Sequence, residues 1–312
     1  MSAKLAISFI TYNRAKHINE DLSKIALPTQ KKGIDIYIFD GSTNNETELV
    51  VKKYREKGYE HIFYFHYEDN LESTQKRMED ALFLPDAEYI WFSGDKFVVS
   101  PNNYDVILKY VDQSFDMITI YGKPIEKTRC FHNPVKYVEY SIIPFTQFGA
   151  TIIKKELIEG KDIKSLREEF PGFGKMILYI RAIDKTDFKG VTISASPKCI
   201  IDSRYKTKSN SWSYMWDTWV KDWYYTISSM PARYNIIKEK IMNRPDKDLG
   251  FFSIKQLFRQ RSEGQFDFKK CIEYRKYFSK VILVPDILVY FISLVPKKIA
   301  KEIFNVISMY TK

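Results

Sequence analysis

The chain has 312 residues, of which 45% are apolar and 28% are charged. This composition belongs to a folded protein with a large core and excludes a disordered chain. The three cysteines lie far apart and the four histidines are scattered, so the sequence predicts neither a disulfide framework nor a zinc site. The net charge of +10 falls almost entirely after residue 232, where 17 Lys and Arg stand against 8 Asp and Glu. This asymmetry predicts a nearly neutral domain followed by a basic region that faces an anionic partner.

The first hundred residues alternate strand and helix signals. Strands are predicted by the apolar runs KLAISFI, IDIYIFD, HIFYFHY and AEYIWFS. The polar stretches between these runs carry apolar residues at helical spacing, as Ile18, Leu22 and Ile25 do. A βαβαβαβ order predicts an α/β fold, with a mainly parallel sheet and helices on both faces. In such sheets ligands bind beyond the carboxyl ends of the strands.

Each of the four predicted strands is followed by polar residues. Asp40 offers an acceptor to a base or ribose, and Gly41 before Ser42 lets a ligand approach the backbone. Arg14 and Arg77 can neutralise phosphate oxygens. Turn formation and plain solvation are the alternatives for single residues, but their recurrence at successive strand ends favours a binding site. The remaining strand-end residues are Thr11, Tyr12, Asn13, Asn70, Ser93, Gly94 and Asp95.

Four segments together resemble successive blocks of the family 2 glycosyltransferases, which have the GT-A fold. They are LAISFITYNRAKHINEDL, IDIYIFDGSTNNET, YFHYEDNLESTQKRMEDAL and AEYIWFSGDKFV, within residues 4–105. The resemblance implies transfer of a sugar from a nucleotide-sugar donor, usually a UDP-sugar, to a glycan, lipid-linked or protein acceptor. It also implies that Asp40 binds the base. A D-x-D motif in that family holds the ribose and a divalent cation, Mn²⁺ or Mg²⁺, on the pyrophosphate, so that Asp95 would be both catalytic and metal-binding.

The last block departs from the family pattern. In YIWFSGDKF, Asp95 keeps one carboxylate, while Lys96 and Phe97 stand where further acids are usual. A single carboxylate binds Mg²⁺ weakly. We therefore expect an impaired or metal-independent site in which Lys96 supplies positive charge to the departing diphosphate. A metal site completed by a residue elsewhere is the alternative.

The predicted glycosyltransferase domain spans residues 1–232, with a nucleotide-sugar half at 1–105 and an acceptor half at 106–232. Further strands are predicted in DMITIYG and FGATIIKKELI. The family's general base is an Asp or Glu in the acceptor half, which takes the proton of the acceptor hydroxyl during inverting displacement. Glu169 is our prediction for that base, with Glu168 and Asp202 as alternatives.

The predicted region at 233–312 is basic and helical. It is apolar from Val281 to Val295, with lysines on both sides, and the apolar run is too short to span a bilayer. This pattern is typical of an interfacial anchor on an anionic membrane, and packing against the catalytic domain or a second copy in a homo-oligomer is the alternative. Just before it, four tryptophans share one helix face, which favours core packing over sugar or lipid contact. They are Trp212, Trp216, Trp219 and Trp223.

The strand signal that begins at Leu5 leaves no room for a signal peptide, so we expect a cytoplasmic protein, peripheral at the inner face of the membrane. Two other function classes stay open. The missing acids after Asp95 fit a catalytically impaired GT-A domain that partners an active glycosyltransferase. The basic tail fits a nucleic-acid-binding protein, but the sequence has no recognisable binding motif, so no nucleic acid is expected as a partner.

Overall fold

The chain forms two compact units in the computed structural model, which describes residues 2–95, 97–98, 100–121, 127–194, 200–201 and 215–310. The first unit consists of Met1–Leu166 and Leu178–Lys206, and the second of Arg167–Ile177 and Thr207–Lys312. The domain boundary predicted at residue 232 therefore falls inside the second unit. A short segment of the predicted acceptor half belongs to the second unit as well.

Among the described residues, ten strands lie in the first unit. In chain order they are β1 (Ala3–Thr11), β2 (Ile34–Asp40), β3 (Ile62–His66), β4 (Ala87–Gly94), β5 (Phe97–Val98), β6 (Met117–Tyr121), β7 (Arg129–Phe131), β8 (Thr151–Lys154), β9 (Gly190–Ser194) and β10 (Ile200–Ile201). Eight of them form one sheet in the order β3-β2-β1-β4-β8-β6-β9-β7, and β5 pairs with β10. The strands predicted in DMITIYG and FGATIIKKELI are β6 and β8.

Fourteen α-helices are present in the described part of the chain. They are α1 (Ala15–Lys31), α2 (Glu46–Arg55), α3 (Leu71–Phe83), α4 (Tyr104–Asp112), α5 (Pro134–Thr146), α6 (Ile163–Glu169), α7 (Gly174–Ala182), α8 (Trp223–Ser228), α9 (Asn235–Met242), α10 (Arg244–Leu249), α11 (Ile254–Ser262), α12 (Phe268–Val281), α13 (Asp286–Leu294) and α14 (Lys297–Tyr310). The first five belong to the first unit and the last seven to the second. Among these helices, none has both the length and the apolar character that crossing a bilayer requires.

The predicted α/β class is confirmed, because β1 to β4 alternate with α1 to α3 and are mutually parallel where they pair. The sheet is mixed beyond β4, since β8 runs antiparallel to both β4 and β6. Leu5, Ile7 and Phe9 of β1 share a buried cluster with Ile18 and Leu22 of α1. The continuous burial of β1 from Leu5 to Phe9 is what a parallel strand covered on both faces requires.

The second unit has an aromatic core of its own. Trp216 is fully buried, stacks on Phe266 with ring centroids 4.6 Å apart, and donates its indole N–H to Gln260 at 2.8 Å. Trp223 is also buried and donates to the carbonyl oxygen of Met242 at 2.8 Å. Core packing is thus the role of these two tryptophans, within the second unit itself. Trp212 lies outside the described residues.

We expect Trp216→Ala to lower the free energy of unfolding of the second unit by about 3 to 5 kcal/mol, the usual cost of deleting a large buried ring. The variant also leaves the buried side-chain amide of Gln260 without its indole partner. Tyr225→Ala, at a half-exposed position in the same unit, is the control and is expected to cost less than about 1 kcal/mol. Chemical denaturation of full-length variants measures both values, and equal losses would contradict the placement of Trp216 in the core.

Candidate functional site

The carboxyl ends of β2, β1 and β4 meet at one edge of the sheet. The strand register places Thr11 opposite Asp40 and Ile10 opposite Gly94. Because β1 lies between the other two strands, the residues that follow each strand come close together in space. The strand-end side chains predicted from sequence therefore form one cluster in the first unit.

Asp40 is fully buried at the end of β2. Its Oδ1 accepts hydrogen bonds from the backbone N–H of Ser42 at 2.9 Å and from the Ser42 hydroxyl. Its Oδ2 accepts one from the Tyr64 hydroxyl at 3.0 Å. Burial, and after it the neighbouring carboxylate, raise the pKa of Tyr64, so this hydroxyl stays protonated and a donor. A carboxylate has about four acceptor positions, which leaves one on Asp40 for a further donor.

Gly41 and Arg77 lie in direct contact. A Cβ added to Gly41 would stand 1.8 Å from Nη1 of Arg77, which donates to the carbonyl oxygen of Thr11 at 2.9 Å. Burial lowers the pKa of Arg77, while the carboxylates of Asp40 and Asp69 act in the opposite direction. Plain solvation of Arg77 is therefore excluded, since its guanidinium lies over the turn that follows β2.

Asp95 is almost completely buried beyond the end of β4. Its Oδ2 accepts from the Thr11 hydroxyl at 2.9 Å, and its Oδ1 pairs with Nη1 of Arg14 at 2.8 Å. Both carboxylate oxygens are thus engaged by protein groups. Lys96, the predicted source of positive charge, lies outside the described residues.

The described residues do not fit the divalent cation that the resemblance implies. Mg²⁺ needs a near-ideal octahedron of oxygen ligands, and Asp95 offers one buried carboxylate that is already paired. No group of three or more His, Cys, Asp or Glu side chains in the described ranges is placed to hold a metal ion. The residues that the structure describes therefore supply no set of three such ligands for a cation at Asp95.

The loop after β1 is tied to the loop after β2 by Asn13. This residue has a positive φ of 52°, donates its backbone N–H to the Ser42 hydroxyl at 2.8 Å, and accepts at Oδ1 from the backbone N–H of Thr43 at 3.0 Å. Tyr12, which precedes it, donates its hydroxyl to Asp69 at 2.7 Å. These bonds fix the position of the loop that carries Arg14 relative to the loop that follows Asp40.

Three further residues of the predicted site lie at the same edge of the sheet, where their surroundings are other parts of the fold. Asn70 caps α3 by accepting from the backbone N–H of Ser73 at 2.8 Å. Ser93 is buried at the end of β4. Gly94 faces Phe148, which a Cβ on the glycine would meet at 3.6 Å. The structure thus gives Asn70 a function in α3 that the sequence analysis did not assign to it.

Glu168 and Glu169 lie at the end of α6, and both are exposed to solvent. Glu169 belongs to the second unit, whereas Asp40 and Asp95 belong to the first. Asp202, the third candidate for the general base, lies outside the described residues.

Sequence reasoning missed Tyr64, the residue that holds the second oxygen of Asp40. Tyr64 stands in the strand IFYFH, whose three central residues are all aromatic, and pairs in register with Ile38. Because successive side chains of a strand point to opposite faces, Tyr64 lies on one face with Ile62 and His66. Only the register of β3 against β2 shows that this face carries the carboxylate of Asp40.

No protein-family model matches the sequence, and no curated protein matches it. Solved structures do match. TarS 1–349 from S. aureus in complex with UDP is 16% identical, with a TM-score of 0.56 over 93% of this chain and 86% of that one. The mannosyltransferase PcManGT from Pyrobaculum calidifontis, in complex with GDP-Man and Mn²⁺, is 13% identical, with a TM-score of 0.53 over 98% of this chain and 88% of that one. The chain therefore has the GT-A fold of nucleotide-sugar glycosyltransferases, as the sequence resemblance predicts.

The contact between Gly41 and Arg77 gives a prediction for stability. Gly41→Ala should displace the Arg77 guanidinium and break its bond to Thr11, which lowers the free energy of unfolding by about 1 kcal/mol. In an Arg77→Ala background the same substitution has nothing to displace and should cost much less. A double-mutant cycle by chemical denaturation measures the difference. Equal costs in the two backgrounds would show that Arg77 does not lie over Gly41.

Proposed function

We propose that the chain is a glycosyltransferase that moves a hexose from a UDP-sugar to a glycan, lipid-linked or protein acceptor, with inversion by direct displacement. The observation that carries the proposal is the cluster of Thr11, Arg14, Asp40 and Asp95 at one sheet edge. In GT-A type open sheets this edge is where ligands bind. The likeness of the fold to TarS in complex with UDP and to PcManGT in complex with GDP-Man supports a nucleotide-sugar donor.

Asp40 is the proposed reader of the base. Its one remaining acceptor position suits a single N–H donor, such as the imide N–H of uracil. The bonds from Ser42 and Tyr64 hold the carboxylate in one orientation, so no reorganisation is needed when the base binds. Gly41 keeps the adjoining turn free of a side chain, and the cationic Arg77 over that turn adds positive charge beside the donor.

Glu169 stays our proposal for the general base. It would accept the proton of the acceptor hydroxyl as that oxygen attacks the anomeric carbon and the nucleoside diphosphate leaves. Glu169 is an exposed residue at the end of α6. Glu168, equally exposed one residue earlier, is the matched position against which its role can be compared.

An anionic membrane is the proposed location of the acceptor. In α13 the side chains of Val289 and Ile292 are buried in the core of the second unit, while Ile287, Phe291 and Leu294 are exposed and apolar. Three exposed lysines follow α13 in the first two turns of α14, namely Lys297, Lys298 and Lys301. Each lysine near an anionic surface contributes about 1 kcal/mol, and apolar side chains at the headgroup boundary add to this. Nucleic acid would bind the lysines but would make no contact that needs the exposed apolar side chains of α13.

Asp40→Ala should weaken binding of UDP by about 1 to 3 kcal/mol, the cost of a lost hydrogen bond to a charged group. Tyr64→Phe is the matched control, because it removes a bond to the same carboxylate without removing the carboxylate. We expect that variant to lose less affinity for UDP than Asp40→Ala does, because the two bonds from Ser42 still orient the carboxylate. Isothermal titration with UDP measures both variants, and an unchanged affinity in Asp40→Ala would refute the assignment of the base reader.

Ile287→Asp should lower binding of the full-length chain to vesicles containing phosphatidylglycerol by about 10-fold, because one fully buried isoleucine is worth about 1.5 to 3 kcal/mol. Ile236→Asp on α9 is the control, since both isoleucines are 76% exposed and both lie in the second unit. Co-sedimentation measures the two variants. Equal binding by both variants, or no binding by the unmodified chain, would contradict the proposed membrane contact of α13. The exposed face of α13 would then be a surface for a second copy of the chain, which analytical ultracentrifugation detects.

A further inference from the structure

Arg14 and Asp95 form an ion pair in which the two partners differ in accessibility. The side chain of Asp95 is 4% exposed and that of Arg14 is 34% exposed. Asp95 is also fixed from its other oxygen by the Thr11 hydroxyl at 2.9 Å. The carboxylate is therefore buried while the Arg14 side chain is one-third exposed, so the charged group that a ligand can reach at this strand end is positive.

The guanidinium of Arg14 has donors to spare. An arginine carries five N–H donors in a planar fork, and the contact with Asp95 engages Nη1. A guanidinium can donate to two oxygens of a phosphate group at once. A carboxylate that is paired with the guanidinium fixes its orientation. Thr11 links Arg14 to the second cation of the site, since its hydroxyl binds Asp95 while its carbonyl oxygen accepts from Arg77. Two guanidinium groups are thus anchored around one residue.

A divalent cation would have to compete with this arrangement. To reach Asp95 it would displace Arg14 from Oδ1 and leave a guanidinium without its carboxylate. In the part of the chain that the structure describes, no group of three or more His, Cys, Asp or Glu side chains is placed to complete its coordination. Arg14 therefore occupies the carboxylate oxygen that a cation at Asp95 would need.

We propose that Arg14, held by Asp95, binds the diphosphate of the donor in place of a divalent cation. This inference rests on the function proposed above. In the transfer step the acceptor oxygen bonds to the anomeric carbon, and the bond from that carbon to the β-phosphate oxygen breaks with its electron pair. The hydroxyl proton passes to the general base, and the nucleoside diphosphate leaves with one more negative charge. Arg14 stabilises that charge as it develops.

Isothermal titration of the full-length chain with UDP and with uridine tests the inference. We expect the dissociation constant of UDP to agree within about 2-fold in EDTA and in Mn²⁺, since no bound cation contributes. Arg14→Ala should weaken UDP by about 10- to 100-fold, the equivalent of one strong charge-assisted hydrogen bond or two weaker ones. Uridine, which has no phosphate, should bind this variant as it binds the unmodified chain.

Lys16→Ala is the matched control, because it removes the same charge from an exposed position two residues along α1. We expect it to leave UDP binding unchanged. Since Arg14→Ala also leaves the buried carboxylate of Asp95 unpaired, the double variant Arg14→Ala with Asp95→Asn removes both charges and should show the same selective loss of UDP.

The outcomes separate this inference from the function on which it rests. If UDP binds tightly in Mn²⁺ but more than about 10-fold more weakly in EDTA, a cation holds the diphosphate and the role of Arg14 is refuted. An equal loss in Arg14→Ala and Lys16→Ala would also refute it, since the effect would then be general charge. If the unmodified chain binds neither UDP nor another nucleoside diphosphate under either condition, both the proposed function and this inference fall.

Discussion

The parallel register of β1 against its two neighbours is the constraint on which the rest of the site depends. Thr11 stands beside Asp40 on one side, and Ile10 stands beside Gly94 on the other. A slip of one residue would turn every side chain of β1 to the opposite face of the sheet. It would turn the Thr11 hydroxyl away from Asp95. It would also turn Leu5, Ile7 and Phe9 away from the side chains against which they pack. Core packing of these apolar side chains therefore fixes the geometry of the polar groups at the strand end.

The same constraint explains which parts of the site were predictable from sequence. Alternating strand and helix signals were sufficient for the sheet, and the position of Asp40 directly after an apolar run was sufficient to place it at the sheet edge. The pairing of Arg14 with Asp95 was not predictable in this way. The two residues are 81 positions apart, and only the neighbouring positions of β1 and β4 in the sheet bring them together. Tyr64 was missed for a similar reason.

Composition was a weaker guide to domain limits than to fold class. The excess of Lys and Arg begins near residue 232, but charge on a surface does not determine which segments pack together. The core of the second unit includes Met215 and Trp216, which precede that excess, together with Phe252 and Tyr274. Asp246 adds a connection that no periodic pattern indicates, since its two oxygens accept from the backbone N–H groups of Phe252 and Leu283 at 2.9 and 2.8 Å. Such a buried carboxylate joins segments that are far apart in sequence.

Asn13 has a consequence for any attempt to reshape the proposed donor site by laboratory evolution. Its backbone conformation favours asparagine or glycine, and its amide and N–H connect the loop after β1 to Ser42 and Thr43. A library that varies one of these loops alone would therefore disturb the other through Asn13, and most of its members would lose the geometry of both. Libraries that keep Asn13 and vary the two loops jointly would sample new shapes of the proposed site while the two loops keep their relative position.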